Sequence, residues 1–157
     1  LGTISAGTSN VSVSGNVYRY ATASATPSTQ SLGAFHVGQA GSLTGSVTVS
    51  NTAANDGFSD VVGVTGASAT GTGFGASNGV VGSIAAGGSS SGVGVSFNTA
   101  SGVSGVNSGS IQVNTVSDGS GAGLDTTVLD PMYVAVKPAS PRPATLWLCQ
   151  ENVTVSM

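Results

Sequence analysis

The chain has 157 residues, of which 39% are hydrophobic and only 6% charged, with 25 glycines and a formal net charge of −3. Its only basic residues are Arg19, Lys137 and Arg142, which argues against a phosphate-neutralising nucleic-acid surface and a basic membrane-binding patch. No apolar run reaches the roughly eighteen residues of a helical membrane span, and low charge with this much apolar content is unlike a disordered chain.

A length of 157 residues suits one domain of ordinary size. The abundance of Val, Thr, Ser and Gly, with little Leu, Glu or Lys, is a β composition. Cys149 is the only cysteine, so no internal disulfide can form. The opening LGTISAGTSN lacks the basic and apolar regions of a secretory leader, and, since it starts at Leu1 and not Met, the expectation is a chain that is processed, excised from a longer protein or incomplete.

In chain order, residues 9–22 (SNVSVSGNVYRYAT) read as a strand, with Val11, Val13 and Val17 on one face and Tyr18 and Tyr20 on the other. Gly15 marks a bulge or bend. Residues 24–31 (SATPSTQS) read as a Ser/Thr/Pro linker and the best domain boundary. LGAFHVG follows as a strand ending at Gly38. The clearest strand is 43–50, where Leu43, Val47 and Val49 alternate with Thr44, Ser46, Thr48 and Ser50 before Asn51 opens a polar turn. Phe58 to Val64 is the next strand, with Phe58, Val62 and Val64 on one face. Residues 66–79 read as a Gly-rich stretch anchored by Phe74, and VVGSIAA (80–86) as a short strand. Val93, Val95 and Phe97 alternate with Gly94 and Ser96, and Ile111 and Val113 with Gln112 and Asn114. A last strand covers 127–136, with Met132, Val134 and Val136.

The expected fold is all-β, an Ig-like antiparallel β-sandwich of about seven strands with an extra N-terminal strand and a C-terminal tail. A barrel or a solenoid is the rival, but no short coil repeat is present. The expected divisions are 1–30 (N-terminal strand and linker), 31–137 (sandwich) and 138–157 (tail). Leu43, Val47, Val49, Val62, Val64, Val93, Val95, Phe97, Ile111, Val113 and Val134 are the expected core.

A longer internal repeat is also present. Residues 1–22 align without a gap on 124–145 at a constant offset of 123. The identities are Leu1/Leu124, Thr3/Thr126, Val11/Val134, Val13/Val136, Arg19/Arg142, Ala21/Ala144 and Thr22/Thr145. The match implies that residues 1–22 are the closing strand and linker of a preceding copy, lying outside the core of their own unit. Such a segment would dock on a neighbouring module, in the same long chain or in the next subunit of a fibre. The tail ENVTVSM (151–157) also resembles SNVSVSG (9–15).

Three pieces, SLGAFHVGQAGSLTGSVTVSNTAANDG, SIAAGGSSSGVGVSFNTA and SGSIQVNTVSDGSGAGLDTTVL, carry a family likeness. In strand-and-turn grammar, residues 31–136 resemble the Ig-like repeats of bacterial surface proteins of the "choice-of-anchor D" type, relatives of Ig-like domains in spindle-pole and ciliary proteins. The resemblance implies a β-sandwich in a secreted, multi-domain, non-enzymatic protein, and it brings no catalytic residues. The tail PRPATLWLCQENVTVSM, with Trp147 and Cys149, departs from that pattern.

Candidate chemistry is sparse. His36 is the only histidine and reads as a strand residue with a satisfied ring rather than a catalytic base, and one His with one Cys makes zinc improbable. Asp118 and Asp125 bracket a Gly-rich loop that fits a plain turn better than a calcium loop. GTGFG (71–75) and GSGAG (119–123) are turns rather than phosphate cradles, and Asn10 and Asn152 sit in glycosylation sequons that matter only in a eukaryotic secretory setting. No catalytic, cofactor-binding or metal-binding residues are assigned. The candidate interaction residues are Val11, Val13, Val17, Tyr18, Arg19 and Tyr20, since Tyr and Arg favour interfaces. The reading is therefore a non-enzymatic extracellular or cell-surface structural or adhesive module, of bacterial type, whose partners are copies of itself or neighbouring repeats, without nucleic acid or membrane insertion. The alternative is a carbohydrate-binding or hydrolase accessory module.

Overall fold

A computed structural model describes residues 2–3, 7–80 and 82–139. They form two packed sheets, an all-β Ig-like sandwich. The strands are β1 (Ala23–Thr26), β2 (Thr29–Ala34), β3 (Ser42–Asn51), β4 (Val61–Thr70), β5 (Phe74–Asn78), β6 (Ser83–Ile84), β7 (Ser89–Asn98), β8 (Gly109–Asp118), β9 (Thr126–Val128) and β10 (Met132–Ala139). One sheet has the order β1-β3-β7-β5. The other runs β2-β10-β8-β4-β6, with β9 also paired to β8. All neighbours are antiparallel except β2 and β10, which run parallel.

The alternating pattern builds the core. Val47, Val49, Val93, Phe97, Ile111, Val113, Val134 and Val136 are fully buried, joined by Val62 and Val95. Leu43 and Val64 are only partly buried against this cluster. Ala21, Leu32, Phe35 and Ile84 complete it. At its centre, the Phe97 ring packs on Phe35 at 5.3 Å and on Phe74 at 4.7 Å between centroids.

Four expectations are corrected. The Ser/Thr/Pro stretch 24–31 is not a linker: it carries β1 and the start of β2, and the chain changes sheets at Pro27 and Ser28. Proline needs no donor there, and the polar residues suit strands at the sheet edges. Second, the unit begins near Arg19, before the expected boundary. Residues 9–17 form no strand, and Val11, Val13 and Val17 are more than four-fifths exposed. Third, the Gly/Ala-rich region 66–79 holds the end of β4 and all of β5. A bulge between Val64 and Gly66 flips the side-chain parity, so Ala67 and Ala69 turn to the core in place of larger residues. The strand starts at Val61, leaving Phe58 outside it and exposed. Fourth, the expected strand 127–136 is two strands, broken at Leu129-Asp130-Pro131, where proline removes a ladder donor. His36 lies beyond β2 in an exposed turn closed by Gln39 N–H donating to His36 O at 3.0 Å. Tail residues 140–157, with Trp147 and Cys149, lie outside the described residues.

Chain entry and exit lie at opposite ends. Arg19 bridges to Ser59, just before Val61, which pairs with Asp118 at the end of β8. At the far end, Val136 pairs with Gly109 at the start of β8, and the chain runs on to Ala139. A ten-residue strand separates the two poles, about 33 Å at 3.3 Å per residue.

The Thr115 hydroxyl, on the inward face of β8, is buried without a hydrogen-bond partner. Thr115→Val keeps the shape and removes the unsatisfied group, so it should stabilise the fold by about 1 kcal/mol. Chemical denaturation checks this; a midpoint lower than the parent's would be the wrong sign.

Candidate interaction site at the entry pole

The entry segment is fastened by a polar network. Arg19 N–H donates to Phe58 O at 2.8 Å, and Asp60 N–H donates to Arg19 O at 2.9 Å. Ala21 N–H donates to Ser117 Oγ at 2.8 Å, and that hydroxyl donates to Asp60 Oδ2 at 2.8 Å. Ala21, Asp60 and Ser117 are all buried. Buried polar atoms require such partners, and here they tie residues 19–21 to the β3–β4 loop and to β8.

Asn51 is the hub beside them, 1% exposed. Its Nδ2 donates to Asp60 O at 3.0 Å and Ile84 O at 3.2 Å, while its Oδ1 accepts from Thr22 N–H at 3.3 Å and Ala53 N–H at 3.2 Å. One amide thus joins the entry segment, the β3–β4 loop and β6. Asn51, Asp60 and Ser117 were missed as a group from the sequence. Parity was the available signal for two of them: Val47, Val49 and Asn51 face one way along β3, and Ile111, Val113, Thr115 and Ser117 along β8.

Of the interaction candidates, the structure brings Tyr18, Arg19 and Tyr20 to this pole. The Tyr18 ring lies 5.8 Å from that of Phe58. Arg19 forms an ion pair with Asp56, both side chains about half exposed. Tyr20 is 66% exposed, and Tyr18 and Tyr20 share a shallow recess with Leu124 and Asp125. Val11, Val13 and Val17 are not brought into this group. A second hollow of about 400 Å³ is lined by Tyr18, Ser59, Asp60, Asp118 and, from the β8–β9 loop, Gly119 and Gly121. Its lining is largely polar, with Ser59, Asp60, Ser83, Asp118 and Ser120 around the Tyr18 ring, whereas ligand pockets are mostly apolar.

Asp118 holds its own loop. Its Oδ1 accepts from Ser120 N–H at 2.9 Å and Thr126 Oγ1 at 3.4 Å. Among the described residues, no three His, Cys, Asp or Glu side chains gather as metal ligands. Also among them, no helix is long and apolar enough to cross a membrane.

Two surface carboxyls carry a pH signal. The backbone N–H of Phe58 and then the Arg19 guanidinium hold Asp56 below the ordinary carboxyl value of 3.8. Hydrogen bonding from Ser120, and less from Thr126, lowers Asp118 likewise. Both give up protons more readily folded than unfolded, so their contribution is present above the unfolded value and lost as pH falls through the lowered folded values. The melting temperature should therefore drop as pH falls below about 3.8, modestly because both groups are exposed. Melting curves of Asp56→Asn should show a shallower fall; an unchanged pH profile would refute this assignment. No family model and no curated protein matches the chain.

Proposed function

We propose that this chain is a non-enzymatic structural or adhesive module outside a bacterial cell, one unit in a row of similar β-sandwiches. The observation that carries the reading is polarity: the chain enters the sandwich beside Ser59 and leaves it beyond Gly109, at opposite ends. Modules with termini at opposite poles join end to end without long linkers. The low charge, the β composition and the likeness to "choice-of-anchor D" repeats support the same reading.

A row within one polypeptide is favoured over a fibre of separate subunits. In a fibre joined by strand addition, the donated strand needs an empty place in its neighbour. Here the place of the closing strand, between β8 and β2, is filled by the chain's own β10. The mass of the natural polypeptide tests this. A row requires a chain longer by whole modules, and the isolated 157-residue chain should sediment as a monomer. A natural chain of this length that polymerises would overturn the row in favour of a fibre. A glycan-binding screen of the folded chain should be blank; a specific hit would favour the carbohydrate-binding alternative.

A further inference from the structure

We infer that residues 9–16 are the closing strand of a preceding sandwich of the same kind, in the register that β10 adopts in this one. The inference rests on the row proposed above and adds the strand, its register and the length of the junction.

The offset of 123 places Val11 on Val134 and Val13 on Val136. In β10 those two valines are completely buried, whereas Val11 and Val13 are 81% and 90% exposed. On either side of them β10 turns Tyr133 and Lys137 outward, and the matching positions are Asn10 and Ser14, both polar. The N-terminal copy thus keeps the two fully buried valines and has small polar residues at the outward positions, while the flanking inward positions Met132 and Pro138 become Ser9 and Gly15. Between Lys137 and Ala139 the register against β2 shifts, the extra residue lying on β2 between Ser31 and Ala34, where Gly33 has a positive φ; Pro138 stands opposite this bulge, and its counterpart is Gly15. A segment with alternating valines and no partner of its own is an unguarded edge, which a covering sheet removes.

The junction is short. Asn16 matches Ala139, and the next sandwich is already engaged at Tyr18 and Arg19. The preceding module would therefore abut the entry pole and cover Tyr20 and Phe58, which stand exposed there.

The test is a transplant in the full chain. Residues 132–139 are replaced by SNVSVSGN, the sequence of 9–16, by the changes M132S, Y133N, A135S, K137S, P138G and A139N. A slipped control carries residues 10–17 in the same place, which reverses the parity of its valines. The in-register chain should melt cooperatively, with the amides of Val134 and Val136 exchanging at least about a hundredfold slower than in the unfolded chain. The slipped chain should be unfolded. Met132 packs partly against the core, so a companion variant keeps Met132 and Tyr133 and takes only residues 11–16. It should melt within about 5 °C of the parent. Unfolding of the companion, or equal behaviour of the in-register and slipped chains, would overturn the proposal. Neither result bears on the polypeptide mass that decides the row itself.

Discussion

Replacing Asn51 by Ala is expected to destabilise the fold by ~2–4 kcal/mol, as removing one amide leaves several buried partners unmet. The carbonyls of Asp60 and Ile84 lose their donor, and the N–H groups of Thr22 and Ala53 lose their acceptor. Small cavity effects add little, because the side chain is compact. Asn51→Asp separates hydrogen bonding from volume. It keeps the shape but turns an oxygen towards two carbonyl oxygens in a buried site, so at neutral pH it should be no more stable than Asn51→Ala. Denaturant midpoints at constant slope measure both. An Asn51→Ala loss below about 0.5 kcal/mol, the usual bound for an inconsequential surface change, would mean that the amide is not the hub.

Phe97→Ala is expected to cost ~3–5 kcal/mol, the range for truncating a buried aromatic. The side chain is fully buried and its ring touches both Phe35 and Phe74. These three rings bring together the β2–β3 connection, β5 and β7, so the cavity would open between the sheets rather than collapse at an edge. A typical domain is stable by ~5–15 kcal/mol, so this one change consumes a large share. Equilibrium unfolding of the variant checks it; a loss under about 1 kcal/mol would place Phe97 outside the core.

The central sandwich was legible because period-2 alternation is strong wherever one face is buried and the other wet. Val47 and Val49, Val93 to Phe97, and Ile111 and Val113 all follow it. The pattern failed where small residues do the packing. Ala67 and Ala69 face the core after a bulge, and Ala21, Ala23 and Ala25 line the entry strand, yet none of them stands out in a chain rich in Ala, Ser and Gly. Composition misled at 24–31 for the same reason: edge strands tolerate Ser, Thr and Pro, so they read as a linker. Inward polar residues were the other blind spot. Asn51 and Ser117 look like turn residues until their strands are carried two and four positions past Val49 and Val113. Of the candidate site, Tyr18, Arg19 and Tyr20 were legible as an aromatic–basic cluster. Their anchoring to Asp60 and Ser117 depends on pairings across 41 and 96 positions of sequence, which no local pattern reports.

End-to-end polarity is the claim on which the account depends most, and small-angle scattering on a two-module chain tests it directly. Residues 1–139 continued by residues 17–139 preserve the period of 123 at the junction. Entry and exit at opposite poles predict an elongated particle, with a maximum dimension close to twice that of the module 17–139 plus the short N-terminal segment. A compact particle no longer than one module, its sandwiches side by side, would contradict it.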